Sequence, residues 1–200
     1  DGSRFEIIDA NNHSALISWQ HSGRHNVLNA IAAVIAASTV GVSLDRACEA
    51  LSQFVGVKRR MEVIYQDDRV TVYDDFAHHP TAIATTVDGL RAKVGADQVV
   101  AIVEPRSATM KMGLHKAVLS EAVAAADRAL WYRGPAVNWD LQSVASACTV
   151  PAIVCEQIDQ LLASTLKQLE GAEKSHVVVM SNGGFEGFHQ RLVAALKARA

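Results

Sequence analysis

Short apolar runs rich in β-branched residues alternate with longer stretches of helical spacing along most of this chain. Residues 62–66, 69–74, 99–103, 129–132, 152–155 and 177–180 predict strands. Residues 81–93, 114–126 and 157–169, and a last stretch ending near Lys197, carry a helical pattern. Residues 134–150 are irregular, with a short helix expected over 140–146. The first two strands flank Gln66-Asp67-Asp68 and should pair antiparallel. From residue 70 onward strands and helices alternate. That order predicts an α/β fold with a mainly parallel sheet, helices on both faces and right-handed crossovers.

The first sixty residues follow another pattern. Residues 5–9 and 15–19, separated by Asn11 and Asn12, predict a hairpin or the last strands of a larger sheet. A helix over 26–37 is rich in Ala, Leu and Ile and apolar on nearly all faces. Such a helix is normally buried, more fully than sixty residues can arrange alone. Gly41 ends it, and Ser43 can cap a second helix from Leu44 to about Phe54. Gly56 and the basic run Lys58-Arg59-Arg60 mark a boundary. Residues 1–60 are therefore expected to be the end of one domain, and 61–200 a second domain.

Composition narrows the partners. The net charge is −2, which gives no bulk attraction to nucleic acid or an anionic membrane. No apolar run approaches the roughly 20 residues that span a bilayer. Cys48, Cys148 and Cys155 have neither metal nor disulfide spacing and suit buried positions in a reducing, cytoplasmic compartment. The opening Asp1-Gly2-Ser3 has neither an initiator methionine nor a signal peptide, so a fragment of a longer chain is expected.

The polar residues that matter gather where strands end. Asp74, Asp75, His78 and His79 follow one strand. Glu104, Arg106, Ser107, Thr109 and Lys111 follow the next, and Ser181-Asn182-Gly183-Gly184 the last. In a parallel sheet these lie along one edge, where ligands bind. Pro80 suits a helix's first turn. The mixture of acids, bases and glycines fits phosphates with Mg²⁺, or a charged substrate. A plainer reading stands beside each. Glu104 and Arg106 could form a surface ion pair, and Lys111 could line a solvated face. His25, Asn26 and Asn29 could present amides to a base or merely cap a helix, and Arg60 could be a salt-bridged boundary residue. Neither a P-loop, a Gly-x-Ser-x-Gly elbow nor a Gly-x-Gly-x-x-Gly fingerprint is present. Adjacent His78 and His79 point apart when extended, so no metal site is expected.

Three motifs carry a resemblance: Gly23-Arg-His25-Asn26-Val-Leu-Asn29-Ala30, Gly56-Val-Lys58-Arg59-Arg60-Met61-Glu62, and Asp74-Asp75-Phe76-Ala77-His78-His79-Pro80-Thr81. Together they resemble the Mur ligases, ATP-dependent amide-forming enzymes of peptidoglycan metabolism. The resemblance implies the end of a central ATPase domain followed by a Rossmann-like C-terminal domain. It implies His25, Asn26 and Asn29 beside adenine, Arg60 near the nucleotide, Asp75 on the ribose hydroxyls and His78 near the phosphates. Loss of Asp75 would then weaken ATP use and leave the fold intact. The P-loop lysine and Mg²⁺ ligands would lie in a region outside this sequence.

Glu104-Pro-Arg106-Ser-Ala-Thr-Met-Lys111 and Met180-Ser181-Asn182-Gly183-Gly184-Phe185 are similar to the branch that recycles cell-wall tripeptide. That branch joins L-alanyl-γ-D-glutamyl-meso-diaminopimelate to UDP-N-acetylmuramate through an acyl phosphate. By resemblance, Arg106, Lys111, Ser181 and Asn182 would meet the peptide, and His78, Arg106 and Lys111 would serve the reaction. Glu186 replaces an expected glycine. The other readings are a fragment of the branch that adds L-alanine, and a non-catalytic nucleotide- or peptide-binding domain.

Overall fold

The two alternating runs at the start pair as β1 (Arg4–Ile8) and β2 (Ser14–Ser18), an antiparallel hairpin in a computed structural model that describes residues 1–199. Two helices follow, α1 (Arg24–Ser38) and α2 (Leu44–Ser52), the second capped by the Ser43 side chain. These form one compact unit, Asp1–Val57; a second begins at Lys58. The first unit's core is small: Ile17, Ala30, Val34, Ala47 and Cys48. Only Ala30 and Val34 of α1 are buried, while Leu28 and Ile35 are more than half exposed. The expectation of a deeply buried helix is thus not met within the unit, which lacks the surface to cover it.

In the second unit the predicted strands form one six-stranded sheet. The strands are β3 (Glu62–Gln66), β4 (Val70–Asp75), β5 (Gln98–Val103), β6 (Arg128–Tyr132), β7 (Ala152–Cys155) and β8 (Ser175–Met180). Their order is β3-β4-β8-β5-β6-β7, and all neighbours are parallel except the β3–β4 hairpin. The last strand of the sequence therefore slots between β4 and β5, and this insertion brings distant loops together.

Period-two alternation splits the core between two faces. Val99, Ala101, Val103, Trp131, Val178 and Met180 face one side, packed by α3 (Pro80–Val94) and α6 (Leu141–Ala147). Val100, Ile102, Leu130, Val177 and Val179 face the other, packed by α7 (Ile158–Gln168) and α8 (Phe188–Lys197). Because both faces are covered, the central strands are apolar throughout.

One predicted helix is broken. The stretch 114–126 holds only short pieces: α5 (Lys116–Leu119) and a 3-10 turn at Glu121–Val123, preceded by the one-turn α4 (Ala108–Lys111). Gly113 adopts φ +69°, and a Cβ there would press on the Trp139 ring, whose indole N–H donates to the Met110 carbonyl at 2.9 Å. Leu119, Ala122, Val123 and Ala126 are buried in the core while Leu114 and Val118 are exposed, so the apolar spacing does mark a buried face, but short helical pieces present it rather than one helix.

Candidate functional site

Strand register puts the three polar loops at one level. Asp75 and Val103 both lie opposite Met180, on either side of β8. The ladder continues past the strands: Ser181 N–H donates to the Asp75 carbonyl at 3.1 Å, and Glu104 N–H to the Met180 carbonyl at 3.0 Å. The loop 181–184 thus lies between the Asp74-Asp75 and Glu104-Arg106 segments, at the carboxyl edge of the sheet.

The two acids that end β4 differ in what surrounds them. Asp75 is 3% exposed and accepts N–H bonds from Met61 at 2.9 Å and Ala77 at 2.8 Å, with the Thr86 hydroxyl at 3.4 Å. Burial raises its pKa above the ordinary carboxylate value, against the opposing pull of those donors and the Arg60 charge. The expected ribose ligand is therefore an interior group that ties the Met61 turn to the start of α3. Burial also pushes Asp74 upward, but His189 and Arg59 beside it outweigh burial and hold it below its usual value. Arg59 Nε is 3.1 Å from Asp74 Oδ2, and His189 Nε2 is 3.2 Å from Oδ1.

The adjacent arginines have divided roles. Arg59 spends its guanidinium inside, donating to the Ser181 and Gly183 carbonyls at 2.7 and 2.9 Å. Arg60 is exposed, with its guanidinium 5.6 Å from the Phe76 ring centroid, and is available to an anion. His78 is half-buried and donates Nδ1–H to the Phe76 carbonyl at 2.9 Å. His79 caps α3 through its ring nitrogen and meets His115 edge-on. Sequence reasoning had no way to separate Arg59 from Arg60, and it missed Asp74 as the partner of Arg59 and His189 as the neighbour of Asp74. The side-by-side arginines were the only available signal.

On the other side of the loop, Arg106 is exposed and lies against Gly183, where a Cβ would overlap its guanidinium. Its contact with Glu104 is a long 3.8 Å. Ser181, expected to meet a peptide, is fully buried instead. Its hydroxyl donates to the buried Glu104 carboxylate and accepts the Gly183 N–H at 3.0 Å. Asn182 Oδ1 is buried and has no hydrogen-bond partner among the described residues. Lys111 ends α4 and is half-buried.

In the first unit, Asn26 donates its side-chain N–H to the Ser22 carbonyl at 2.7 Å, bridging the start of α1. His25 is half-buried and Asn29 exposed on the same helix. Among the described residues no group of three or more His, Cys, Asp or Glu side chains is placed to hold a metal ion. Nor is any helix among them long and apolar enough to cross a membrane.

The family model for the Mur ligase, glutamate ligase domain matches residues 59–183, more than half of the chain. The chain belongs to the Mur ligase family. Its six-stranded sheet flanked by helices is the Rossmann-like C-terminal domain of Mur ligases. It is 39% identical over 200 residues to the UDP-N-acetylmuramate–L-alanyl-γ-D-glutamyl-meso-2,6-diaminoheptandioate ligase of Haemophilus influenzae. That alignment takes in 100% of this chain but 44% of its relative, so the chain spans less than half the length of that Mur ligase. Among crystal structures, a murein peptide ligase from Psychrobacter arcticus is 44% identical, with a TM-score of 0.71 over 98% of this chain and 42% of that one. A domain from a putative ligase of the same tripeptide class from Haemophilus ducreyi is 38% identical, with a TM-score of 0.57. It covers 68% of this chain and 99% of its own.

Set against that membership, the departure at Glu186 acquires a physical meaning. Phe185 and Glu186 have φ of +46° and +48°, in the left-handed region where glycine is favoured. The Glu186 carboxylate accepts the buried Tyr132 hydroxyl at 2.7 Å, a bond that offsets part of the backbone cost. Burial first, and this carboxylate second, raise the Tyr132 pKa, so the phenol stays protonated as the donor.

Proposed function

We propose that this chain is the C-terminal part of an ATP-dependent ligase that joins a murein tripeptide to UDP-N-acetylmuramate. Residues 61–200 supply the acceptor side. Residues 1–60 form the end of a central ATP-binding domain, a reading supported by the exposed apolar side chains Leu28, Ile35 and Val40.

The observation that carries the proposal is the edge built from Arg106, Gly183 and Asn182. An exposed guanidinium is seated on Gly183, and the preceding residue, Asn182, carries an amide oxygen with no hydrogen-bond partner among the described residues. The guanidinium fork matches a carboxylate, and the amide oxygen matches an amine or peptide N–H. Lys111 adds a second cation, as a peptide with several carboxylates requires. Ser181 supports this edge from beneath. Arg60 and His78 serve the nucleotide side, as do His25, Asn26 and Asn29 of the first unit. Asp75 keeps the Met61 turn in the shape that presents Arg60. The described residues do not fit a metal, so Mg²⁺ is assigned to the remainder of the protein. What this chain does for the reaction is hold and orient the acceptor amine, a positioning role.

The test is steady-state ligation by the full-length protein with MgATP, UDP-N-acetylmuramate and either acceptor, read as product mass and released phosphate. Tripeptide should be used with a kcat/KM at least about a hundredfold above that of L-alanine, as two lost charge-assisted contacts imply. Equal use of free L-alanine would move the protein to the L-alanine-adding branch.

A further inference from the structure

Arg59 is fixed at both its backbone and its side chain. Its φ is +59°, a conformation that costs a non-glycine residue energy unless its surroundings impose it. Those surroundings are present. Its N–H donates to Glu62 Oε2 at 2.8 Å, and its carbonyl accepts the Phe76 N–H at 2.9 Å. Its guanidinium is 5.3 Å from the Phe76 ring centroid.

The side chain then spans two strand ends. Nε faces Asp74 at the end of β4, while Nη2 donates to the Ser181 and Gly183 carbonyls beyond β8. Two carbonyls two residues apart converge on one nitrogen, so the loop must curl around it. His189 Nε2 from α8 lies 3.2 Å from the Asp74 carboxylate. On the outer side of the same loop, Gly183 is the surface on which Arg106 rests.

We infer that Arg59 is a positioning residue for the acceptor: it sets the curl of loop 181–184, and through Gly183 it sets where Arg106 can stand. The inference rests on the reading of Arg106 as the acceptor's carboxylate partner, but the loop's dependence on Arg59 can be measured without any substrate. Lysine keeps the charge of Arg59. Its single ammonium on a flexible stem cannot hold Asp74 and both carbonyls in this planar arrangement.

The substrate-free experiment is amide hydrogen exchange on the full-length protein and its Arg59→Lys variant. Exchange in the segment 181–184 should rise at least tenfold in the variant, with the amides of β5 and β8 unchanged. Unchanged exchange at 181–184 overturns the inference, and faster exchange throughout the sheet also overturns it, since that marks a purely structural role. The kinetic experiment uses the full-length enzyme with tripeptide as acceptor. Arg59→Lys should raise the tripeptide KM about tenfold while ATP KM and kcat change less than twofold. Added guanidinium ion should restore much of the tripeptide KM in Arg59→Ala. In an Arg106→Ala background the Arg59→Lys effect on tripeptide KM should vanish, and full additivity of the two changes overturns the coupling. If the unmutated enzyme does not use tripeptide at all, the functional reading fails, and the exchange result alone decides the role of Arg59.

Discussion

Replacing Asp75 with alanine will cost about 2–4 kcal/mol of folding free energy, because one buried and one partly buried N–H lose their acceptor, at roughly 1–3 kcal/mol for the buried one and toward the low end for the other. Those groups belong to Met61 and Ala77, and Thr86 loses a weaker bond with them. The family motif alone predicts only weaker ATP use with the fold intact; the 3% exposure of Asp75 changes that expectation. Urea unfolding of the full-length protein and the variant, followed on the second unit, measures the loss. Equal midpoints would show that Asp75 is not the tie described above. Asp75→Asn keeps one acceptor oxygen and should lose less. Its deficit should also depend on pH, in a direction set by the raised pKa of Asp75. A buried acid with a raised pKa favours the folded state most when it is protonated. The parent therefore loses that contribution as pH rises from the ordinary value of 3.8 through the folded pKa. The asparagine side chain does not titrate, so its deficit relative to the parent should shrink across that window.

The second large effect is a loss of turnover. The 200-residue chain by itself should release phosphate from MgATP at least about a thousandfold more slowly than the full-length protein. Phosphoryl transfer depends on a backbone cradle, a lysine and a metal that neutralise charge as it develops. The chain has no Gly-x-x-x-x-Gly-Lys-Ser/Thr sequence, and its described residues offer no metal cluster. A phosphate-release assay with UDP-N-acetylmuramate and tripeptide present checks this. Turnover near the full-length rate would place the catalytic centre within these residues and refute the division of labour proposed here.

The central strands were legible because they are buried on both faces, an environment that a continuous apolar run satisfies. Residues 99–103 and 177–180 could hardly be read otherwise. Strand order was not legible, since no local signal says that the last strand inserts between β4 and β5. That insertion decides which loops meet, so the alliance of Ser181 with Glu104, and of Gly183 with Arg106, became visible only in three dimensions. Residues 114–126 misled for a different reason. Leu119, Ala122, Val123 and Ala126 do form a buried stripe, but short helical pieces carry it, and the glycine turn under Trp139 that precedes them depends on a residue far along the chain. For the site itself, residue type singled out these loops as candidates but could not say which of their side chains face outward. Asp75 and Ser181 are polar and sit in the right motifs, yet both are interior. Arg60 and Arg106, on the segments before β3 and after β5, are the ones exposed.

The central claim is that this chain holds the acceptor, and Arg106→Ala in the full-length enzyme tests it most directly. Removing one charge-assisted carboxylate contact is worth about 1.4 kcal/mol or more, roughly a tenfold change. The measurement is the KM for tripeptide and for ATP in the parent and the variant, with melting temperatures to show that both are folded. The account predicts a tripeptide KM raised at least about tenfold and an ATP KM within twofold of the parent. A shifted ATP KM with an unchanged tripeptide KM would place Arg106 on the nucleotide side and contradict it.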